Sequence, residues 1–177
     1  MLNEETRRKL RLMRMDGFIE ASEHIRQEPG IENLSFDERF QVLTDRVYQR
    51  YFNDKVDGLI RAAKLRFPRA DVHDIYYDSG RNIKKSSMLE YATCEYIEDN
   101  RSIVLQGYTS TGKTYIACAL AKEACRHLYK TKYIRLPDLL MEYEEKSIEP
   151  YGKDKMKRKY TNYRVLVIEE WLSTDMR

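Results

Sequence analysis

The sequence predicts an α/β fold with a parallel sheet, preceded along the chain by a helical region. Three short runs of strand-forming residues, at 102–105, 132–135 and 165–168, alternate with helical patterns. Such alternation is typical of parallel strands joined by crossover helices. The chain has 177 residues, of which 42% are hydrophobic and 34% are charged. This composition excludes a wholly disordered chain, and the length suffices to bury a core without disulfides or metal.

The first third of the chain carries apolar residues at helical spacing. One helical pattern covers Glu4 to Arg26, with Gly17 as its weak point. A second begins at Ser35, because Glu38 three residues later completes a capping box. A third pattern covers residues 54–66 and ends before Pro68. We therefore expect three helices joined by short breaks.

These patterns divide the chain into three predicted segments. Residues 1–66 form an N-terminal helical domain, and residues 67–100 form a connector that holds one helix at 87–98. Residues 101–177 form the α/β core. The core is predicted to contain, besides its strands, helices at 113–129 and 137–146 and a basic polar loop at 152–159.

Residues 107–114 carry a phosphate-binding motif. They fit the pattern G-x-x-x-x-G-K-[ST], and they lie between a predicted strand and a predicted helix. Backbone N–H groups of such a loop and the positive end of the following helix bind phosphates. We expect Lys113 to contact the β- and γ-phosphates of ATP and Thr114 to bind Mg²⁺, and Ser110 is a mild departure from the usual glycine. The predicted nucleotide-binding residues are Gly107, Tyr108, Thr109, Ser110, Thr111, Gly112, Lys113 and Thr114.

Two carboxylates follow the last predicted strand. Glu169 and Glu170 come directly after the β-forming run 165–168. In a P-loop ATPase, the first acid at such a strand end holds Mg²⁺ and the next can polarise the attacking water. We therefore expect Glu169 to be a metal residue and Glu170 to be the catalytic base. The usual first acid is aspartate, and the extra methylene of Glu169 could slow hydrolysis.

With both motifs in place, the chain resembles the IstB-like ATP-binding proteins, which are AAA+ relatives of DnaC-type helicase loaders and assist insertion-sequence transposases. This resemblance is carried by the stretches 34–39, 43–46, 74–77, 117–120, 133–137 and 169–172. It implies a P-loop NTPase fold of AAA+ type, ATP and Mg²⁺ as cofactors, homo-oligomerisation, DNA and a transposase partner. It also implies ATP hydrolysis.

The resemblance further implies a sensor strand and an arginine finger that would follow the acidic strand. Both would lie beyond Arg177, so we expect the sheet formed by this chain to be incomplete, with a gap beside the strand that precedes the P-loop. We also expect negligible hydrolysis by the isolated chain. A nucleotide-binding remnant without turnover is thus one alternative function, and a DnaC-like helicase loader in DNA replication is another.

Two basic segments are candidates for DNA contact. Residues 46–69 and 153–159 are rich in Lys and Arg, which bind phosphate backbones without reading sequence. An ordinary solvated surface is the alternative for both segments, and the resemblance favours DNA. No apolar run approaches the roughly 20 residues that a membrane helix needs. We expect a cytoplasmic protein, because the three cysteines form no paired pattern and no secretory signal is recognisable.

Overall fold

A computed structural model describes residues 2–77, 80 and 82–170. The chain divides into two compact units between Lys55 and Val56. The predicted domain boundaries at residues 66 and 100 stay predictions. In the part of the chain that the structure describes, no helix is both long and apolar enough to cross a membrane.

The first unit begins with two helices where the sequence predicted one. Helix α1 spans Glu4–Leu12 and helix α2 spans Asp16–Ile25. The break lies at Arg14, whose φ of 57° cannot continue a right-handed helix, and not at Gly17. Gly17 lies inside α2, where a Cβ would sit 3.6 Å from the side chain of Val47. A short 3₁₀ turn at Ile31–Asn33 follows.

Helix α3 spans Phe36–Ala63 without interruption, so the prediction of separate helices before and after residue 53 was wrong. The residues between the two patterns include neither glycine nor proline, and the backbone therefore continues through them. The predicted capping box is confirmed. The N–H and the hydroxyl of Ser35 both donate to the Glu38 carboxylate, at 2.7 and 2.8 Å. The Glu38 N–H donates back to the Ser35 hydroxyl at 3.3 Å.

The second unit contains a parallel sheet of strands β1, Thr131–Arg135, and β2, Val165–Glu169. Thr131 pairs with Val165 and Arg135 with Glu169, which fixes the register. Helix α6, Lys113–Arg126, packs against both strands of this sheet and contributes more residues to the core cluster than any other element of the described chain, several of them with small side chains. These side chains allow close packing of α6. They include Cys118, Ala119, Ala121, Ala124 and Cys125.

The run 102–105 is not a strand in the structure, and this corrects the sequence prediction. Strands β1 and β2 pair with each other, and neither forms a ladder with this run. Ile103 and Leu105 nevertheless pack against the core, whereas Val104 is 64% exposed. The alternation expected of a strand is therefore present, while none of the described residues forms a strand ladder with this run.

The remaining helices also differ in part from prediction. The helix expected at 87–98 is divided into α4, Lys85–Ala92, and α5, Glu95–Glu98, because Cys94 adopts a positive φ of 63°. Helix α7 spans Leu136–Ser147, close to its predicted bounds. The predicted polar loop after it is instead helix α8, Gly152–Thr161, which forms because Met156 can be buried while its basic neighbours stay exposed.

Candidate nucleotide-binding site

The phosphate-binding loop has the backbone geometry that its glycines predict. Gly107 and Gly112 adopt φ values of 152° and 85°, which are accessible to glycine at little cost. Gly112 is also the N-cap of α6, so the loop leads directly into the positive end of that helix. Ser110 adopts a φ of 65° in place of the glycine that is commonest there. The departure noted in the sequence therefore falls on a position that does require left-handed backbone.

Lys113 lies across this loop. Its ammonium group donates to the carbonyl oxygens of Gly107 and Tyr108, at 2.7 and 2.6 Å. The hydroxyl of Thr111 donates to the same Tyr108 carbonyl at 2.8 Å. These contacts curl the loop around the ammonium group, which adds a full positive charge to the helix terminus. The concave backbone and the charge together suit a chain of phosphates.

Glu169 connects the acidic strand to the loop. The Thr114 hydroxyl donates to Oε1 of Glu169, and the Tyr133 hydroxyl donates to Oε2. The Arg66 guanidinium lies 3.6 Å from the same Oε2. The structure therefore brings together Thr114 and Glu169, the two residues predicted to hold the metal, although 55 positions separate them in sequence.

The strand register explains how Tyr133 reaches this site. Tyr133 pairs with Val167, so Glu169 is the next residue of β2 on the same face of the sheet. The Tyr133 ring is only 8% exposed and packs in the core cluster beneath α6. Its hydroxyl thus emerges from the core at the level of the Glu169 carboxylate.

Glu170 is held by a different partner. It directly follows β2 with a φ of 61°, which turns its side chain away from the alternation of the strand. The Arg135 guanidinium donates to Oε2 of Glu170 from Nε at 2.9 Å and from Nη2 at 2.7 Å. The hydrogen bonds to Glu170 raise the pKa of Arg135 above its ordinary value. The two acids therefore have separate partners and separate positions.

The residues present fit a magnesium ion. Thr114 offers a hydroxyl oxygen and Glu169 a carboxylate oxygen, and Mg²⁺ prefers such hard oxygen ligands. Among the described residues, no group of three or more His, Cys, Asp or Glu side chains could hold a metal by itself. An ion bound through one or two protein oxygens and completed by phosphates is the usual arrangement for Mg²⁺ with nucleotides.

The segment before the loop is tied to α6 by an ionic cluster. The Asp71 carboxylate lies 3.2 Å from Lys122 and 3.0 Å from Arg126, and accepts a hydrogen bond from the His73 N–H at 3.1 Å. Burial alone would raise the pKa of Asp71, but the hydrogen bonds and the positive charge of Arg126 outweigh it and lower that pKa to about 2. These contacts attach the side of α6 that carries Lys122 and Arg126 to the segment around Asp71.

The three cysteines are buried free thiols. Cys118 and Cys125 are both fully buried on α6. Burial raises the pKa of each thiol above its ordinary value, which disfavours the reactive thiolate. Both side chains therefore act as small packing residues.

Three residues near the site were not predicted from the sequence: Arg66, Tyr133 and Arg135. Their types are common, and they lie outside both motifs. For Tyr133 a signal did exist, since β-strand alternation places it on the same face as Thr131 and Arg135. Sequence reasoning missed it because the partner strand and the register were unknown. The other predicted nucleotide-binding residues all belong to the loop motif at 107–114. Among them, Tyr108 is 89% exposed.

The two basic segments differ in how their charges are used. In the segment 46–69, Arg46 pairs with Glu28 and Arg50 pairs with Glu20, so part of its charge is compensated internally. In the segment 153–159, Lys159 pairs with Glu142. Lys157 and Arg158 are exposed on α8 and form no ion pair with any described residue.

Comparison with known proteins identifies the family of the chain. The family described as IstB-like ATP binding protein matches residues 8–177. An ATP-binding protein of insertion sequence IS1162 from Pseudomonas fluorescens is 33% identical over 140 residues, which cover 79% of this chain and 61% of that protein.

Two further relatives carry similar names. The insertion sequence ATP-binding protein y4pL of Sinorhizobium fredii is 26% identical over 172 residues, covering 97% of this chain and 69% of its own. An ATP-binding protein of insertion sequence IS232 from Bacillus thuringiensis is 26% identical over 138 residues, which cover 77% of this chain and 54% of that protein. The chain thus spans about three fifths of the length of these relatives. The family match includes the loop and both carboxylates, and from it we conclude that the chain belongs to the IstB-like ATP-binding proteins, a P-loop family of AAA+ type.

Proposed function

We propose that the protein binds ATP with Mg²⁺ and acts as a helper in insertion-sequence transposition, together with DNA and a transposase. The observation that carries the nucleotide part of the proposal is the contact between Thr114 and Glu169. It joins the phosphate-binding loop to the acidic strand and sets two magnesium-type ligands side by side. The names of the relatives support the transposition part.

Each loop residue has a specific role in this proposal. The backbone N–H groups of 107–112 surround the phosphates, because the loop is concave and ends at a helix N-terminus. Lys113 transfers its hydrogen bonds from the Gly107 and Tyr108 carbonyls to the phosphate oxygens. Thr114 and Glu169 hold the magnesium ion, which supplies charge neutralisation at the β- and γ-phosphates.

Hydrolysis of ATP is the second part of the proposal, and Glu170 is its base. A general base must accept a proton from the attacking water within hydrogen-bond distance. Arg135 holds the Glu170 carboxylate beside the end of β2. The position one residue beyond Glu169 supports this role.

DNA, the transposase and other copies of the chain are the proposed partners. Helix α8 supports DNA contact, because its exposed Lys157 and Arg158 are available to phosphates. A cytoplasmic location belongs to the same proposal, since the three cysteines are buried as free thiols. A helicase loader remains the second candidate by resemblance, but the relatives described above are all named after insertion sequences.

Titration with a fluorescent ATP analogue tests the nucleotide site. Lys113→Ala removes a charge-assisted contact worth about 1.5–3 kcal/mol, so affinity should fall roughly tenfold to more than a hundredfold. Lys85→Ala is the matched control, because Lys85 is exposed on α4 and lies outside the loop. The control should bind as tightly as the wild type. Equal affinity of Lys113→Ala and wild type would refute the site.

A transposition assay with the cognate element tests the helper role. The protein with an intact loop should raise the frequency of insertion, and Lys113→Ala should not. Stimulation of helicase loading in place of transposition would favour the second candidate.

A further inference from the structure

We propose that Tyr133 is a positioning residue that orients the Glu169 carboxylate and thereby favours Mg²⁺ over larger cations. This inference rests on the proposed nucleotide site and adds a residue that belongs to neither of its motifs. The inference is based on geometry, because the two oxygens of the Glu169 carboxylate accept hydrogen bonds from two different hydroxyl groups. Thr114 contacts Oε1, and Tyr133 contacts Oε2.

Tyr133 is well suited to hold a side chain in place. The residue is only 8% exposed and belongs to the core cluster, so its hydroxyl cannot move far without disturbing the packing. A buried tyrosine hydroxyl also needs a hydrogen-bond partner, and Glu169 supplies it. Oε2 is therefore fixed from below by a rigid donor, while Oε1 faces the hydroxyl of Thr114.

Arg66 is the competing partner of the same oxygen. Its guanidinium lies 3.6 Å from Oε2, beyond hydrogen-bond distance, and its side chain is 54% exposed. An ion pair that is exposed on one side contributes little, because water screens it and the long side chain loses entropy on ordering. The buried hydroxyl of Tyr133 therefore decides the orientation of the carboxylate, and Arg66 adds a weaker attraction.

The length of Glu169 matters for this arrangement. An aspartate at this position is one methylene shorter, so its carboxylate would lie closer to the backbone of β2. In this chain the longer glutamate spans from the Tyr133 hydroxyl to the Thr114 hydroxyl. The tyrosine thus removes the extra rotational freedom that the added methylene would give to the metal ligand.

A fixed ligand has a predictable effect on metal choice. Mg²⁺ demands near-ideal octahedral geometry, whereas Ca²⁺ tolerates variable ligand directions and longer distances. Loss of a hydrogen bond that orients a ligand typically weakens metal binding by about tenfold or more. Removing the Tyr133 hydroxyl should therefore affect Mg²⁺ more than Ca²⁺.

The test measures binding of a fluorescent ATP analogue as Mg²⁺ or Ca²⁺ is titrated. Tyr133→Phe keeps the ring in the core and removes only the hydroxyl. Tyr160→Phe is the matched control, because its hydroxyl also donates to a glutamate, Glu142, at 2.7 Å but lies on α8 away from the loop. We expect Tyr133→Phe to require about tenfold more Mg²⁺ for half-maximal binding, with a smaller change for Ca²⁺. The control should match the wild type.

A double-mutant cycle makes the test independent of overall stability. In Glu169→Asp the carboxylate no longer reaches Tyr133, so adding Tyr133→Phe should change the Mg²⁺ requirement no further. Additive effects in this cycle, an unchanged Mg²⁺ requirement in Tyr133→Phe, or equal losses with Mg²⁺ and Ca²⁺ would each overturn the inference. The proposed function would survive these results if Lys113→Ala still lost binding. Absence of metal-dependent binding by the wild type would overturn both.

Discussion

The Arg135 guanidinium donates two hydrogen bonds to one carboxylate oxygen of Glu170, at 2.9 and 2.7 Å. Arg135 ends β1 and Glu170 directly follows β2, so the parallel register brings them together at the carboxyl edge of the sheet. The neighbouring Glu169 contacts Thr114 and Tyr133 instead. Two adjacent glutamates therefore have different partners, and substitutions should separate their roles.

Glu170→Gln should leave ATP affinity unchanged and abolish turnover. The amide keeps the size of the side chain and can still accept hydrogen bonds from Arg135, but it cannot act as a base. Analogue titration measures the binding, and phosphate release in the presence of DNA, from a longer chain that includes the sensor strand and arginine finger implied by the resemblance, measures the turnover. Glu169→Ala is the comparison, since it should weaken the magnesium dependence of binding. Undiminished phosphate release by Glu170→Gln would contradict the assignment of the base.

The ion pairs of Asp71 predict a loss of stability in acid. Its folded pKa of about 2 lies below the ordinary value of 3.8, so its contribution is complete above about pH 5 and is largely lost as the pH falls towards 2. The shift corresponds to about 2 kcal/mol of unfolding free energy. Asp71→Asn should therefore be less stable at pH 6, and the difference from the wild type should shrink in acid.

Chemical denaturation from pH 6 down to pH 2.5 measures this difference. Asp74→Asn is the control, because Asp74 is exposed in the same short helical turn and forms no ion pair with the described part of the chain. A gap between wild type and Asp71→Asn that stays constant with pH would show that the Asp71 charge is not its cause.

Gly152 is predicted to tolerate no side chain. A Cβ at this position would lie 1.6 Å from the carbonyl oxygen of Lys146, so the connection from α7 to α8 would have to move. Gly152→Ala should cost about 1–3 kcal/mol of unfolding free energy or more. Gly58→Ala is the opposite case, since a Cβ there would meet no atom within 4 Å other than its chain neighbours and the backbone of its own helix, α3. That change should stabilise by up to about 1 kcal/mol. Thermal unfolding of the two variants should shift in opposite directions, and equal shifts would contradict the clash.

The exposed charges of α8 predict how DNA binding depends on salt. Lys157→Glu combined with Arg158→Glu should weaken DNA affinity and lower the slope of log affinity against log salt by about two. The double change Lys84→Glu and Lys85→Glu provides a control with the same charge difference outside both basic segments. Fluorescence anisotropy with duplex DNA at several salt concentrations measures the slope. The same weakening in both double variants would indicate a nonspecific effect of net charge.

Much of the site could be predicted from local sequence. The loop 107–114, the capping box at Ser35 and the acidic end of β2 depend on residues close together in the chain, whose spacing sets their geometry. Whether the run 102–105 forms a strand could not be predicted in the same way. Its β-forming residues were recognised, but a strand also requires the hydrogen bonds of a neighbouring one, and β1 and β2 pair with each other.

The predicted helix boundaries were wrong where the backbone angle of a single residue interrupts a helix. Arg14 and Cys94 adopt left-handed conformations that their residue types do not predict, and they divide patterns that looked continuous. Conversely, α8 formed from a stretch that looked like a polar loop, because burial of Met156 and the contact of Tyr160 with Glu142 stabilise a helix of low apolar content.

The sequence by itself predicted the phosphate-binding loop and the metal pair of Thr114 and Glu169, and it indicated the family to which the chain belongs. Only the tertiary structure decided that Tyr133 holds Glu169 and that Arg135 holds Glu170. The physical reason is that the motif residues are related by short spacings within one loop or one strand end. The supporting residues depend on the register between β1 and β2 and, for Glu170, on the left-handed backbone after β2, which together bring side chains 35 or 36 positions apart into contact.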